Sequence, residues 1–180
     1  MIIALIVLVV VLLAIVGALV YQRQRSAQLQ RGFGPEYDRA VERHGDQRAA
    51  ESELLERRER RRRFDIRPLT PANRDRYAER WRTVQSQFVD QPASALSDAD
   101  TLVAEVMRER GYPVEDFEQR AADVSVDHPT VVEHYRKAHA IHSRSRASTE
   151  DLREAMLHYR ALFAELLEPP HRERETQEVM

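Results

Sequence analysis

The first 20 residues constrain this chain most, because they contain no charged and no strongly polar side chain. At a helical rise of about 1.5 Å per residue, 20 residues span about 30 Å, the thickness of a bilayer's hydrocarbon core. A helix satisfies its own backbone hydrogen bonds, so it can lie in lipid without unpaired polar groups. The sequence therefore predicts a transmembrane anchor over residues 1–20.

The alternative to an anchor is a cleaved secretory signal peptide. Such peptides carry a basic segment before a shorter apolar core, whereas here the apolar run begins at Met1. The small residues of Val16-Gly17-Ala18 partly match the pattern at which signal peptides are cleaved. We favour the uncleaved anchor, and secretion or an extracytoplasmic location stays the alternative.

Charge is divided unevenly along the chain. Residues 21–82 hold 17 Arg against 11 Asp and Glu, a net charge of +6, and residues 83–180 have a net charge of −8. Arg23, Arg25 and Arg31 follow the predicted anchor, and only the α-amine precedes it. Since basic residues are enriched in cytoplasmic loops, we expect a single-pass plasma-membrane protein with its N-terminus outside and its C-terminal domain in the cytoplasm.

Residues 21–69 are expected to form a basic juxtamembrane segment of charged helices. Gly32-Phe33-Gly34-Pro35 should break the anchor helix, and Pro35 should start a short helix closed by Gly45. Asp46 should cap the next helix, which extends to Arg63. Its run ERRERRRR has three interpretations: a solvated face with i, i+4 ion pairs, a surface that contacts anionic lipid, or a nucleic-acid-binding patch. We favour the solvated helix and expect no nucleic acid, because no recognisable nucleic-acid module accompanies the run.

If the chain contacts lipid, we expect the contact to use arginines of the basic segment that follows the predicted anchor. The candidate membrane-surface residues are Arg23, Arg25, Arg31, Arg60, Arg61, Arg62 and Arg63.

Residues 70–168 are predicted to be a bundle of about five helices, followed by a disordered tail over residues 169–180. Thr70-Pro71 and Ser148 to Asp151 are helix starts, and Gly111 is a helix stop. Apolar residues at helical spacing predict the core faces, which are Tyr77/Trp81/Val84/Phe88, Ala95/Ala99/Leu102/Val103/Val106/Met107, Val132/Tyr135/Ala138 and Leu152/Met156/Tyr159/Leu162/Phe163/Leu166. The fold class is therefore all-α.

One stretch, Asp123 to Pro129, brings acids and an imidazole together. Its alternating valines favour a short extended segment, with Pro129 opening the next helix and Asp127 or His128 as its N-cap. The alternative is a weak metal-dependent or acid–base hydrolase that uses Asp123, Asp127 and His128, with Glu133 and His134 one turn further on. We favour the structural interpretation, which leaves Glu133 and His134 in solvent.

Enzyme motifs are otherwise missing from the sequence. There is no phosphate loop, no nucleophile elbow and no H-E-x-x-H motif, and with no cysteine, thiolate catalysis and cysteine-based zinc sites are excluded. His139 and His142, near Tyr135, are better explained as a half-buried edge of the core than as metal ligands. We therefore expect no enzyme activity, no catalytic residues, no cofactor and no metal.

Three segments resemble an uncharacterised family of small bacterial proteins with one N-terminal transmembrane helix and a helical soluble domain. They are FGPEYDRAVERHGD (33–46), RGYPVEDFEQRAADVSVDHPTVVEHYRKAHAI (110–141) and ASTEDLREAMLHYRALFAELL (147–167). The resemblance implies the architecture and carries no catalytic residues with it.

The function expected from the sequence is that of a membrane-anchored, non-enzymatic interaction or scaffold protein. Its partners would be the lipid bilayer, an anionic lipid surface and a protein that the sequence does not identify. A purely structural spacer is a further alternative.

Overall fold

The computed structural model describes residues 2–144 and 146–168, with side chains from Leu12 onward. Every regular element within those residues is a helix, so the all-α class is confirmed. The predicted tail over residues 169–180 lies outside the described residues. The helices are α1 (Ile2–Phe33), α2 (Pro35–His44), α3 (Gln47–Arg62), α4 (Pro71–Gln87), α5 (Pro92–Arg110), α6 (Phe117–Val124), α7 (Val132–His142) and α8 (Thr149–Leu167).

The chain divides into two compact units, Met1–Leu54 and Leu55–Met180, and the boundary falls within α3. In the first unit, α1 packs against α2. The predicted break is confirmed, because Gly34 lies at φ 48° and Pro35 opens α2. Gly45 adopts the left-handed conformation at φ 66° and donates its N–H to the Val41 carbonyl, which closes α2.

The N-terminal half of α1 contains the predicted anchor. Its described apolar side chains are exposed, from 47% for Val16 to 66% for Leu13. A search of the described residues found no helix long and apolar enough to cross a membrane. Since the side chains of residues 1–11 lie outside the described ones, the anchor over residues 1–20 stays a prediction.

Helix α3 begins where its sequence predicts. The Asp46 carboxylate accepts a hydrogen bond from the backbone N–H of Ala49 at 2.9 Å, as an N-cap side chain does. Leu54 is fully buried, whereas Glu56 and Glu59 are exposed. The helix therefore presents both a buried face and a charged outer face.

In the second unit, α8 packs against α5 and α7, and α4 packs against α5. The Thr70 hydroxyl caps α4 by accepting from the N–H of Asn73 at 3.2 Å, and Pro71 occupies the first turn. The predicted stripe of α4 faces the core, where the Trp81 ring stacks on Phe163 of α8 with centroids 4.5 Å apart. The aromatic row is therefore core, as the spacing predicts.

Gly111 ends α5 in a conformation that only glycine adopts easily, at φ 97°. A side chain here would collide with the backbone of Asp65, because its Cβ atom would lie well inside contact distance of the Asp65 carbonyl oxygen. The chain beside it is fixed by a hydrogen bond from the N–H of Arg67 to the Arg110 carbonyl at 2.9 Å. The glycine thus permits the segment before α4 to pass close to the end of α5.

Two predictions for the stretch between α6 and α7 are wrong. The stretch has no extended segment, because Val124 belongs to α6 and the N–H of His128 bonds to the Val124 carbonyl at 2.9 Å, continuing the helical turn. Helix α7 begins at Val132 and not at Pro129, and its N-cap is Val131, with no side-chain cap. The alternating valines are the buried last residue of α6, Val124, and a half-buried turn residue, Val126, and they do not form a strand.

Helix α8 starts with the predicted capping box. The Ser148 hydroxyl accepts from the N–H of Asp151, and the Asp151 carboxylate accepts from the N–H of Ser148 at 2.8 Å. Aspartate therefore serves here in place of the commoner glutamate or glutamine. Beyond the cap, the predicted apolar face of α8 is buried, including Tyr159, Leu162 and Leu166.

Replacing Phe163 by alanine tests whether the α4–α8 stack supports the core. Phe163 is 2% exposed, so we expect Phe163→Ala to lower the free energy of unfolding by about 3–5 kcal/mol. Leu157→Ala is the matched control on the same helix, where the side chain is 43% exposed and the change should stay within about 0.5 kcal/mol. Chemical denaturation measures both, and equal losses for the two variants would contradict this packing.

Candidate functional site: arginines of α3 on the α6–α7 turn

Two stretches that the sequence singled out separately meet in the second unit. The arginine run at the C-terminal end of α3 contacts the end of α6 and the turn that follows it. The contacts pair Arg57 with Ser125, Arg60 with Asp123, and Arg61 with Asp127. They are spaced at i, i+3 and i+4 along α3, so one face of the helix supplies all three.

Asp123 is the most deeply buried carboxylate of this cluster, with a side chain that is 0% exposed. Its Oδ1 atom accepts from Arg60 Nε at 3.1 Å and from Gln119 Nε2 at 3.0 Å. Burial raises the pKa of Asp123 above its usual value, and the guanidinium of Arg60 opposes that rise. Arg60 thus stabilises a charge that burial alone would disfavour.

Asp127 is bound by two donors on its Oδ2 atom. Arg61 forms an ion pair with it, and the Tyr112 hydroxyl donates to it at 2.5 Å. Burial and the neighbouring Asp127 carboxylate both raise the pKa of Tyr112, so the phenol keeps its proton and stays a donor. Arg61 also lies over the Tyr112 ring, 5.9 Å from the centroid.

Arg57 reaches the interior and is 6% exposed. Its Nη1 atom donates to Ser125 Oγ at 3.2 Å, and that hydroxyl donates in turn to the Ala122 carbonyl at 2.6 Å. The interpretation of the run as a solvated face is therefore wrong for Arg57 and for Arg61, whose side chain is 21% exposed. Glu59 pairs with Arg62 at i, i+3 and not with Arg63 as the i, i+4 scheme predicts.

A second set of polar contacts joins the same region to the end of α8. Arg110 is 1% exposed, and its Nη1 atom donates to the Leu166 carbonyl at 3.1 Å. Arg74 Nε donates to the next carbonyl, that of Leu167, at 3.0 Å. Two guanidinium groups thus satisfy carbonyls at the C-terminus of α8, where a positive charge is favourable.

His128 lies against α8 and is 4% exposed. Its Nδ1 atom is 3.2 Å from Oε1 of Glu165. Burial lowers the pKa of His128, with Arg110 adding to the effect, while Glu165 opposes it. The ring is therefore held neutral near pH 7 and serves as a buried polar contact.

The three residues of the hydrolase alternative do not converge on an open reaction site. Asp123 faces Arg60, Asp127 faces Arg61 and Tyr112, and His128 faces Glu165. Among the described residues, no three His, Asp or Glu side chains form a group that could hold a metal ion. These contacts fit a buried ion-pair cluster that fixes the end of α3.

The neighbouring histidines and Glu133 have partners of their own. Glu133 pairs with Lys137 at 2.7 Å, and His134 faces His158 of α8 at 2.8 Å, so the expectation that His134 lies in solvent is wrong. His139 stacks on Phe117 and His142 lies 3.1 Å from the Ser97 hydroxyl, each half-buried. The prediction that this pair forms a half-buried core edge is confirmed.

The candidate membrane-surface arginines fall into two groups. Arg23, Arg25 and Arg31 are exposed on α1, and Arg62 and Arg63 are exposed at the end of α3. The other two, Arg60 and Arg61, bind the aspartates described above. Contact of any of the seven with lipid stays a prediction.

Comparisons with protein-family models, with curated proteins and with solved structures found no match to this chain. Membership of the small bacterial family that the sequence resembles therefore stays a prediction.

Replacing Arg60 should show how strongly the buried charge of Asp123 destabilises the folded protein when no cation pairs with it. At neutral pH we expect Arg60→Ala to lower the free energy of unfolding by about 1–3 kcal/mol, less than a fully buried pair because Arg60 is 40% exposed. Arg62→Ala is the matched control. Arg62 and its partner Glu59 are 66% and 61% exposed, so the loss should be at most about 0.5 kcal/mol.

The pH dependence of this loss identifies its cause. In the folded protein, burial raises the pKa of Asp123 and Arg60 restrains it, so Arg60→Ala should raise that pKa further. A neutral Asp123 needs no cation. In the folded variant, Asp123 therefore binds a proton more readily than it does in the unfolded chain. The penalty should therefore be complete at neutral pH and shrink on acidification. A penalty that is independent of pH would contradict the assignment.

Proposed function

We propose that this chain is a membrane-anchored, non-enzymatic helical module that holds a five-helix bundle, α4 to α8, beside a bilayer for a protein partner. The observation that carries the proposal is the surface of α1 over residues 12–20. Its large apolar side chains are 47–66% exposed. A helix that is apolar all round requires apolar surroundings, such as a protein interior or lipid.

The arginines that follow this apolar segment support an orientation. Arg23, Arg25 and Arg31 are exposed within three helical turns of the predicted span. Guanidinium groups at that position favour the cytoplasmic side and attract anionic headgroups. We infer a single-pass topology with the N-terminus outside, the bundle in the cytoplasm and the basic segment against the inner leaflet.

The contacts of the acidic residues favour a binding module over an enzyme. Asp123 and Asp127 bind arginines of α3, and His128 is buried against Glu165 of α8, so all three groups already have structural partners. Residues 83–180 have a net charge of −8 in sequence, or −6 without Asp123 and Asp127, and a negative charge of this size suits a basic protein partner. A structural spacer would need no such charged surface.

Charged substitutions within the apolar segment test the anchor. We expect the full chain to remain with membranes after alkaline carbonate extraction, and Leu12→Arg/Leu13→Arg to move it to the supernatant. Each arginine near the bilayer centre costs about 2.5–3.5 kcal/mol of insertion free energy.

Leu157→Arg is the control, because Leu157 is also apolar and exposed, at 43%, but lies on α8. It should leave the chain in the membrane fraction. Extraction of the unaltered chain by carbonate, or its recovery as a shortened secreted product, would contradict the anchor.

A further inference from the structure

A pair of facing imidazoles joins α7 to α8. The Nδ1 atoms of His134 and His158 are 2.8 Å apart, and the ring centroids are 5.0 Å apart with an interplanar angle of 37°. His158 is 16% exposed. No function assigned above uses this pair.

The geometry distinguishes a shared proton from a shared metal ion. The centroid separation of 5.0 Å exceeds the Nδ1 separation of 2.8 Å by about two ring radii, so the nitrogens lie near the line between the ring centres. They point at each other, as the donor and acceptor of a hydrogen bond do. Two ligands of one metal ion would instead both point at the ion.

The position of Glu154 decides which ring donates. Its Oε1 atom lies 3.6 Å from His158 Nε2, on the side away from His134. A carboxylate there favours the tautomer of His158 that carries its proton on Nε2, which leaves the lone pair on Nδ1. We therefore assign His134 Nδ1–H as the donor and His158 Nδ1 as the acceptor, on the ground of the Glu154 charge and not of a hydrogen bond to it.

The charges that surround the pair come from both helices. On α8, Glu154 favours the protonated form of His158. On α7, Lys137 disfavours it, although Lys137 is paired with Glu133 at 2.7 Å. Burial and the facing His134 ring lower the pKa of His158 below its ordinary value.

We propose that His134 and His158 form a pH-sensitive clasp that holds α7 to α8 with none or one added proton and opens when a second proton binds. One added proton can bind an outer ring nitrogen, Nε2, which leaves the Nδ1–H to Nδ1 hydrogen bond intact and strengthens it by charge. The second proton must bind His158 Nδ1. That atom is the acceptor, so the hydrogen bond is lost and two cations face each other.

The sign of the effect on stability follows from the proton count. In mildly acid solution the unfolded chain binds two protons on these histidines, each near its ordinary pKa, whereas the closed clasp binds one. The unfolded state then binds more protons, so stability falls as the pH falls. Buried His128 acts in the same direction, and it is present in every variant compared below.

The test compares the full chain, solubilised in detergent, with His134→Gln and with His142→Gln. Glutamine can donate to neutral His158 or accept from the protonated ring. His134→Gln therefore keeps a hydrogen bond to His158 and removes the state in which two protonated rings face each other. His142 is also on α7, but it lies beside the Ser97 hydroxyl and is not part of the His134–His158 pair. Unfolding equilibria are measured between about pH 6 and pH 5, where free histidine is mostly protonated.

We expect the unfolding equilibrium constant of the unaltered chain to rise more steeply as the pH falls than that of His134→Gln, by up to about tenfold more per pH unit, the effect of one proton. Burial of His158 is common to both chains, so the difference reports the facing ring alone. His142→Gln should keep the steep dependence. Ring-nitrogen NMR should show the His134–His158 pair titrating in two separated steps. Equal pH slopes for the unaltered chain and His134→Gln would overturn the proposal. Zn²⁺ that raises Tm of the unaltered chain but not of His134→Gln would show a metal pair instead, and would overturn it too.

Discussion

A carboxylate that is removed from water needs a cation, and Asp123 with Arg60 is the clearest case in this chain. The Asp123 side chain is 0% exposed, so its charge is stabilised by Arg60 and by the amide of Gln119. Because Arg60 belongs to α3, this requirement fixes the end of α3 against α6. The Arg57–Ser125 and Arg61–Asp127 contacts follow on the same face of the helix.

The abundance of arginine acquires a structural explanation in this arrangement. All but one of the 28 basic residues are arginine. Arg57, Arg61 and Arg110 are buried or half-buried, and they donate to a hydroxyl, a carboxylate and a carbonyl oxygen respectively. Guanidinium keeps its charge when buried and offers more donors than an ammonium group, so lysine would not replace these residues equivalently.

Local patterns in the sequence predicted most of the helices. The caps at Thr70 and Ser148, the stop at Gly111 and the apolar stripes of α4, α5 and α8 depend only on neighbouring residues. The turn between α6 and α7 was mispredicted because alternating Val124 and Val126 resemble a strand, while Val131 caps α7 without a side-chain hydrogen bond. That boundary is set by tertiary packing, which no local pattern records.

The candidate site was predictable only in parts. The sequence singled out both the arginine run and Asp123, Asp127 and His128, but not that they meet, since Arg60 and Asp123 are 63 residues apart. Tyr112, Arg110 and Glu165 were missed altogether. A weak indication existed in the spacing of Arg57, Arg60 and Arg61 on one face of a helix with few apolar residues to bury.

The ion pair between Arg60 and buried Asp123 holds the end of α3 to the α6–α7 turn. A double-mutant cycle between these two residues tests this most directly. With Arg60→Ala, Asp123→Ala and the double variant, the account predicts a coupling free energy of about 1–3 kcal/mol, because each residue depends on the other. The double variant should therefore be far less destabilised than the sum of the two single variants. Losses that simply add would contradict the claim.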